Sequence, residues 1–163
     1  MPAQTDRIEK QVLLNAPRER VWRALSEAGQ FGTWFGVRFD GPFVAGQRLT
    51  GRIMPTEVDA EVAATQAPYA GTPFEWWVER IEPMQRIAFR WHPYAMDQAV
   101  DYASEPTTLI VFELRDAPGG ILLTVTESGF DQLPPERRAQ AFAANEGGWT
   151  HQVRLIAQYL ARP

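Results

Sequence analysis

Four polar residues set among apolar neighbours hold most of the chemistry this sequence can offer: Glu127, His92, Asn145 and Gln152. Glu127 ends an alternating run over residues 121–128 in which Leu123 and Val125 share its parity. Side chains alternate faces along a strand, so Glu127 points inward with them. A carboxyl group facing an apolar space holds its proton to higher pH and can act as a general acid or base. At a strand end, solvent or a nearby Arg can satisfy it instead. His92 follows Trp91 and, with Tyr94, opens a long irregular segment. An imidazole at a cavity mouth exchanges protons near neutral pH; the plainer reading is a loop histidine. Glu127 and His92 are the candidate catalytic residues. Asn145 and Gln152 share a helical face with Phe142, Trp149, Val153 and Ile156. A buried amide must be paired, so these two either hydrogen-bond the sheet or orient a ligand. His151 falls on the flank of that helix and is given no role.

The rest of the composition removes whole classes of chemistry. The chain has no cysteine, which excludes disulfides, thiolate nucleophiles and Cys-ligated metals. Its two histidines are far apart and show no metal-binding spacing. The net charge is −4 without a basic cluster, so phosphate neutralisation on nucleic acid is not expected. No G-x-S-x-G nucleophile elbow and no glycine-rich phosphate cradle occurs. No apolar run reaches the ~20 residues of a membrane helix, and residues 1–11 are polar. A cytoplasmic protein without cofactor or metal is the expectation, as monomer or homodimer. With 163 residues, 45% of them hydrophobic, one domain over residues 1–163 is expected.

The elements that position the polar residues are legible in the periodicity. Residues 8–15 alternate as a first strand, with Ile8, Lys10, Val12 and Leu14 on one face. Asn15 is placed as a helix N-cap with Pro17 in the first turn, and Val21, Trp22 and Leu25 have helical spacing. Gly29 and Gly32 break that helix, with a second short one expected at 30–35. Strands follow at 48–54, 74–81, 86–91, 107–114 and 121–128, most joined by short turns, which implies an antiparallel meander. Residues 55–73 and 93–106 fit neither period and are expected as long loops, either lids or plain insertions. Phe142, Trp149, Val153, Ile156 and Leu160 form one apolar stripe on a C-terminal helix. Gly147 and Gly148 sit inside it, marking a kink or a junction with a short helix at 135–144.

These elements make an α+β helix-grip fold: a curved antiparallel sheet wrapped around a long C-terminal helix, with two short helices after the first strand. Its cavity lies between the concave sheet face and the helix. Parity nominates the lining. The sheet contributes Trp76 (of the Trp76–Trp77 pair), Phe89, Trp91, Phe112 and Glu127. Trp34 and Phe35 close one end. The helix contributes Asn145, Trp149, Gln152, Val153 and Ile156. Ile87, Ile110 and Leu114 complete the concave wall, and Trp22 packs within the first helix.

Three stretches resemble a known family. NAPRERVWRALSEAGQFGTWFG, residues 15–36, is similar to its opening motif. VERIEPMQRIAFRW, residues 78–91, is similar to its central hairpin. TVTESGF, residues 124–130, with GWTHQVRLIAQYL, residues 148–160, is similar to its close. Their order identifies the chain as resembling the bacterial branch of the activator of heat-shock-protein ATPase homologues, within the START and birch-pollen-allergen (SRPBCC) superfamily. The resemblance implies the helix-grip fold over nearly the whole chain. The family name implies a chaperone partner and a stress-response role. The superfamily implies a hydrophobic cavity for lipids, hormones or polyketides, and in some members cyclase or dehydratase activity.

Three readings of function follow. The first is binding of a small apolar or aromatic ligand, without turnover. The second is an acid–base enzyme of cyclase or hydratase type, using Glu127 and His92 on the same cavity. The third is a chaperone-associated interaction module.

Overall fold

The computed structural model describes residues 6–94 and 102–162. Strand β1 (Arg7–Leu14) leads into helices α1 (Arg18–Ser26) and α2 (Ala28–Phe35). The chain continues through β2 (Val37–Phe39), β3 (Arg48–Ile53), helix α3 (Ala60–Gln66), β4 (Pro73–Glu82), β5 (Arg86–Trp91), β6 (Thr108–Ala117) and β7 (Gly120–Ser128). Helix α4 (Pro135–Leu160) closes it. The strands form one seven-stranded sheet in the order β1-β7-β6-β5-β4-β3-β2. Every neighbouring pair is antiparallel. This is the helix-grip α+β architecture expected from the sequence.

The order has a physical origin. Each strand from β3 to β7 pairs with its predecessor, through tight turns at β4–β5 and β6–β7 and longer connections elsewhere, so β2 to β7 lie in sequence order. Between β1 and β2 the chain crosses to the opposite edge, and α1 and α2 make that crossing. A register shift between Val78 and Arg80 in the β4–β5 pairing bends the sheet locally. The concave side is apolar at alternate positions: on β7, Ile121, Leu123 and Val125 are buried and their neighbours are not. On β4, Trp76 is fully buried inside, while Trp77 packs its ring 5.5 Å from His92. Phe31 of α2 sits among Trp34 and Phe35 at 4.8 Å and Phe43, Phe89 and Phe112 at 5.6 Å. Ring pairs at these separations add stabilisation beyond their burial.

Several local expectations are corrected. Asn15 does not cap α1. The helix starts at Arg18, with Pro17 at the cap position in extended backbone (φ −62°, ψ 148°) and no side-chain cap. Helix α4 is continuous over 26 residues, with no junction at Gly147–Gly148. Burial of Trp149, Leu155, Ile156 and Leu160 against the core outweighs the cost of about 1 kcal/mol per helical glycine. The segment expected as a loop at 55–73 contains α3, capped by Asp59, whose carboxylate accepts from the backbone of Glu61 (2.9 Å) and Val62 (3.1 Å). Helix α3 buries none of its residues, so no apolar stripe announced it. Strand β2 is three residues long, too short for a period to be read. Of the second expected loop, 93–106, residues 95–101 lie outside the described residues, as do residues 1–5 of the polar N-terminal segment.

Candidate functional site

Glu127 is wholly buried. Its β7 position pairs with Ile110 of β6 and Ile8 of β1, which sends its side chain to the concave side. There it meets four donors. Oε2 accepts from Trp91 Nε1 at 2.7 Å and Thr108 Oγ1 at 2.5 Å. Oε1 accepts from Trp149 Nε1 at 2.8 Å and Asn145 Nδ2 at 2.9 Å. A carboxylate has about four acceptor positions, and all are occupied. Burial raises the carboxyl above its ordinary range, and the bonds from Thr108, Trp91, Trp149 and Asn145 pull it back down. Glu127 therefore ties β5, β6 and α4 together. Its polar demand is met by neutral donors rather than by an Arg.

Trp91 and Trp149, held by that carboxylate, form part of the wall of a cavity of about 310 Å³. Phe35 of α2 and Phe74 of β4 extend the aromatic wall, and Tyr69 and Tyr94 reach solvent at its edge. Gly36, Ala144 and Gly148 contribute small surfaces. A Cβ placed on Gly148 would meet nothing within 4 Å, so the space beside α4 is open at that residue. Gly36 ends α2 in the left-handed region (φ +95°), and a Cβ there would strike the Gln66 amide at 2.5 Å. That amide holds α3 over the cavity. Gln66 Nε2 donates to the Phe35 carbonyl at 3.2 Å, and its Oε1 accepts from Thr56 N at 2.8 Å. Gln152 Nε2 donates to the same carbonyl at 3.0 Å, so the buried C-terminal end of α2 is capped from two sides.

The far flank of the site is anchored by Arg137 on α4. It pairs with Glu105, both side chains mostly buried, and donates to the carbonyls of Pro93 and Tyr94. Its guanidinium also lies 4.7 Å from the centre of the Tyr102 ring. The two ends of the segment between β5 and β6 are thus fastened to one helix.

The sequence-nominated residues separate into three groups. Phe35, Trp91, His92, Asn145, Trp149 and Gln152 come together on the cavity lining. Glu127 lies behind it, with no exposed surface. Trp34, Phe112, Val153 and Ile156 meet Leu123 and Val125 in a region with no space for a water molecule, and Trp76 and Phe89 are fully buried outside the cavity lining. Parity placed them correctly on the inner side, but side-chain volume closes that part of it. Phe74, Gln66, Tyr69, Thr65 and Thr72 line the cavity without having been nominated. All but Phe74 sit in or beside α3, where no periodic signal exists. His92 and Glu127 do not share one open space, because only His92 reaches the cavity. Among the described residues no group of three or more His, Asp or Glu is placed to hold a metal ion. No described helix is long and apolar enough to cross a membrane.

Comparison with known proteins follows the same lines. The sequence model of the family described as Activator of Hsp90 ATPase homolog 1-like protein matches residues 15–161. The chain belongs to that family. The family match spans α1 through α4, and so contains every wall of the cavity. Solved structures agree on the fold. A protein of Mesorhizobium loti is 22% identical, with a TM-score of 0.67 and coverage of 94% of this chain and 96% of that one. One from Arthrobacter aurescens is 16% identical, with a TM-score of 0.74 over 99% and 91%. One from Bordetella parapertussis is 22% identical, with a TM-score of 0.65 over 100% and 79%. No curated protein matches the chain.

Proposed function

We propose that this member of the family binds a small aromatic molecule in the cavity between the sheet, α2, α3 and α4, and does not transform it. The observation that carries the reading is the lining: aromatic walls around about 310 Å³, with no Asp, Glu, Lys or Arg among the described lining residues. Pockets for apolar ligands have this composition, with a few placed polar groups. Four hydrogen bonds and complete burial support a holding role for Glu127 rather than proton exchange with a substrate.

The test uses Gly148. Replacement by Leu extends a side chain into the cavity from a helical position with open space around it. Screening small aromatics by thermal shift and native mass spectrometry should find ligands that raise the wild-type melting temperature. At one hundred times Kd, the stabilisation is about 2.7 kcal/mol, a shift of several degrees. Gly148→Leu should fold with undiminished stability and lose the shift. If wild type binds no aromatic, or if Gly148→Leu binds as well as wild type, the reading fails.

A further inference from the structure

Polarity on the cavity lining is sorted by depth. Phe35, Phe74, Trp91 and Trp149 form one continuous aromatic patch. Ring centres are 6.1 Å apart between Phe35 and Trp91, 5.8 Å between Phe35 and Trp149, 6.2 Å between Phe74 and Trp91, and 6.4 Å between Trp91 and Trp149. The polar atoms of that patch are two indole N–H groups, and both are spent on Glu127. The amide nitrogens beside it are anchored as well, Asn145 to Glu127 and Gln152 to the Phe35 carbonyl. Gln152 Oε1 is enclosed, out of reach of a ligand. His92 rests its ring against Trp77.

The outer edge has the opposite character. Hydroxyl-bearing side chains of the described lining are Thr65, Tyr69, Thr72 and Tyr94. Tyr69 is 43% exposed and Tyr94 36%; Thr65 is also exposed and Thr72 half-buried. The Thr65 hydroxyl donates to the Val62 carbonyl within its own helix. Tyr94 is fixed at the edge. Its backbone lies in the left-handed region (φ 51°), and Arg137 donates to its carbonyl and to that of Pro93. A non-glycine residue stays in that region where its surroundings hold it there, and such positions cluster at ligand clamps. Volume sets the size of the occupant. An apolar cavity of ~150 Å³ holds one benzene, and this one is about 310 Å³.

Building on the binding function proposed above, we infer that the ligand is amphipathic and binds in one direction: two fused aromatic rings lie on the Phe35–Phe74–Trp91–Trp149 patch, and its polar group is confined to the opposite end, at the edge beside Tyr69, Thr72 and Tyr94. A hydroxyl or carbonyl pushed onto the patch would leave water and find both indole N–H groups already taken. Burying a polar group unpaired is costly. At the edge the same group keeps water or takes a hydroxyl. The polar end need not fit inside, so the class extends to aromatic groups that carry a longer polar chain into solvent.

The experiment is calorimetric titration of the full chain with naphthalene, 2-naphthylmethanol and 2,6-bis(hydroxymethyl)naphthalene. These share a ring system and carry no, one and two polar ends. The monoalcohol should bind at least as tightly as naphthalene. It should bind at least tenfold more tightly than the bis-alcohol, whose second hydroxyl must sit on the aromatic patch. A fourth probe, 2-naphthylmethanol extended by a tetraethylene glycol chain, should bind within threefold of the monoalcohol. In the double variant Tyr69→Phe with Tyr94→Phe, which keeps both rings, the affinity ratio of monoalcohol to naphthalene should fall at least threefold. A ratio below tenfold between the two alcohols, or exclusion of the extended probe, overturns the one-ended binding while leaving the cavity as a binding site. A monoalcohol-to-naphthalene ratio that persists in the double variant, or loss of both probes together, overturns the placement of the polar end at the tyrosines. Failure of all four probes, where other aromatics bind in the thermal-shift screen, overturns the ring-size assignment. Failure of every aromatic removes the binding function itself.

Discussion

The same helix and the same concave sheet are solid at one end and hollow at the other. Toward the C-terminal half of α4, Val153 and Ile156 meet Trp34, Phe112, Leu123 and Val125 and leave no room for water. One to three turns earlier, Ala144 and Gly148 face Phe35, Phe74 and Trp91 across about 310 Å³. Backbone geometry does not differ, since α4 is continuous through both. The difference is side-chain volume on one helix face, together with α3, which roofs the hollow end from outside the sheet. Trp149 belongs to both regions. Glu127 fixes it at the boundary, and the carboxylate acts as a rivet between a packed core and an open site.

The comparison is most exposed to failure at Phe112. It is fully buried, with its ring 5.6 Å from Phe31 and 5.8 Å from Trp149. Phe112→Ala should cost about 3–5 kcal/mol in urea denaturation. Phe74→Ala, on the cavity wall, should cost about 1–2 kcal/mol, because its ring already borders empty space. Equal losses would mean that the hollow end is packed.

The boundary is tested next. Glu127→Gln replaces an acid that carries at most one donor hydrogen by an amide that carries two among four converging donors, and should cost about 2–3 kcal/mol in urea denaturation. Its pH dependence has a definite sign. The folded pKa is raised above the ordinary 4.5, chiefly by burial. Between those two values the folded state binds more protons than the unfolded one, so Glu127's contribution to stability falls as pH rises through the window. The gap between wild type and Glu127→Gln should narrow from pH 4.5 upward. A gap that widens would mean the hydrogen bonds outweigh burial. Asp59 runs the other way, its carboxyl held low mainly by the Val62 backbone bond, but both proteins carry it and it cancels.

Gln66→Ala should cost about 1 kcal/mol. It should raise amide exchange in α3 while leaving β6 and β7 unchanged. If protection changes equally everywhere, α3 is part of the packed core rather than a roof. The smallest effect is expected at Gly148. Gly148→Ala should stabilise the protein by up to about 1 kcal/mol, because its Cβ meets nothing and helix propensity improves. Destabilisation there would contradict the open space.

Much of this was written in local periodicity. The two-residue repeat of β7 sent Glu127 inward with Leu123 and Val125, and the helical stripe of α4 turned Asn145, Trp149 and Gln152 toward the sheet. The ordered motifs of residues 15–36, 78–91, 124–130 and 148–160 carried the family, which the match over residues 15–161 bears out. Strand and helix periods are properties of the backbone, so a single chain displays them. Where along the inner face the protein is full and where it is empty is another matter. That depends on which side chains from distant segments arrive opposite one another: Val153 and Ile156 opposite Phe112, but Gly148 beside residues around Phe74, Tyr69 and Gln66. No period records the sum of volumes across a gap, and no spacing records that the Phe35 carbonyl takes the amide of Gln152. Those were settled when the helix closed over the sheet.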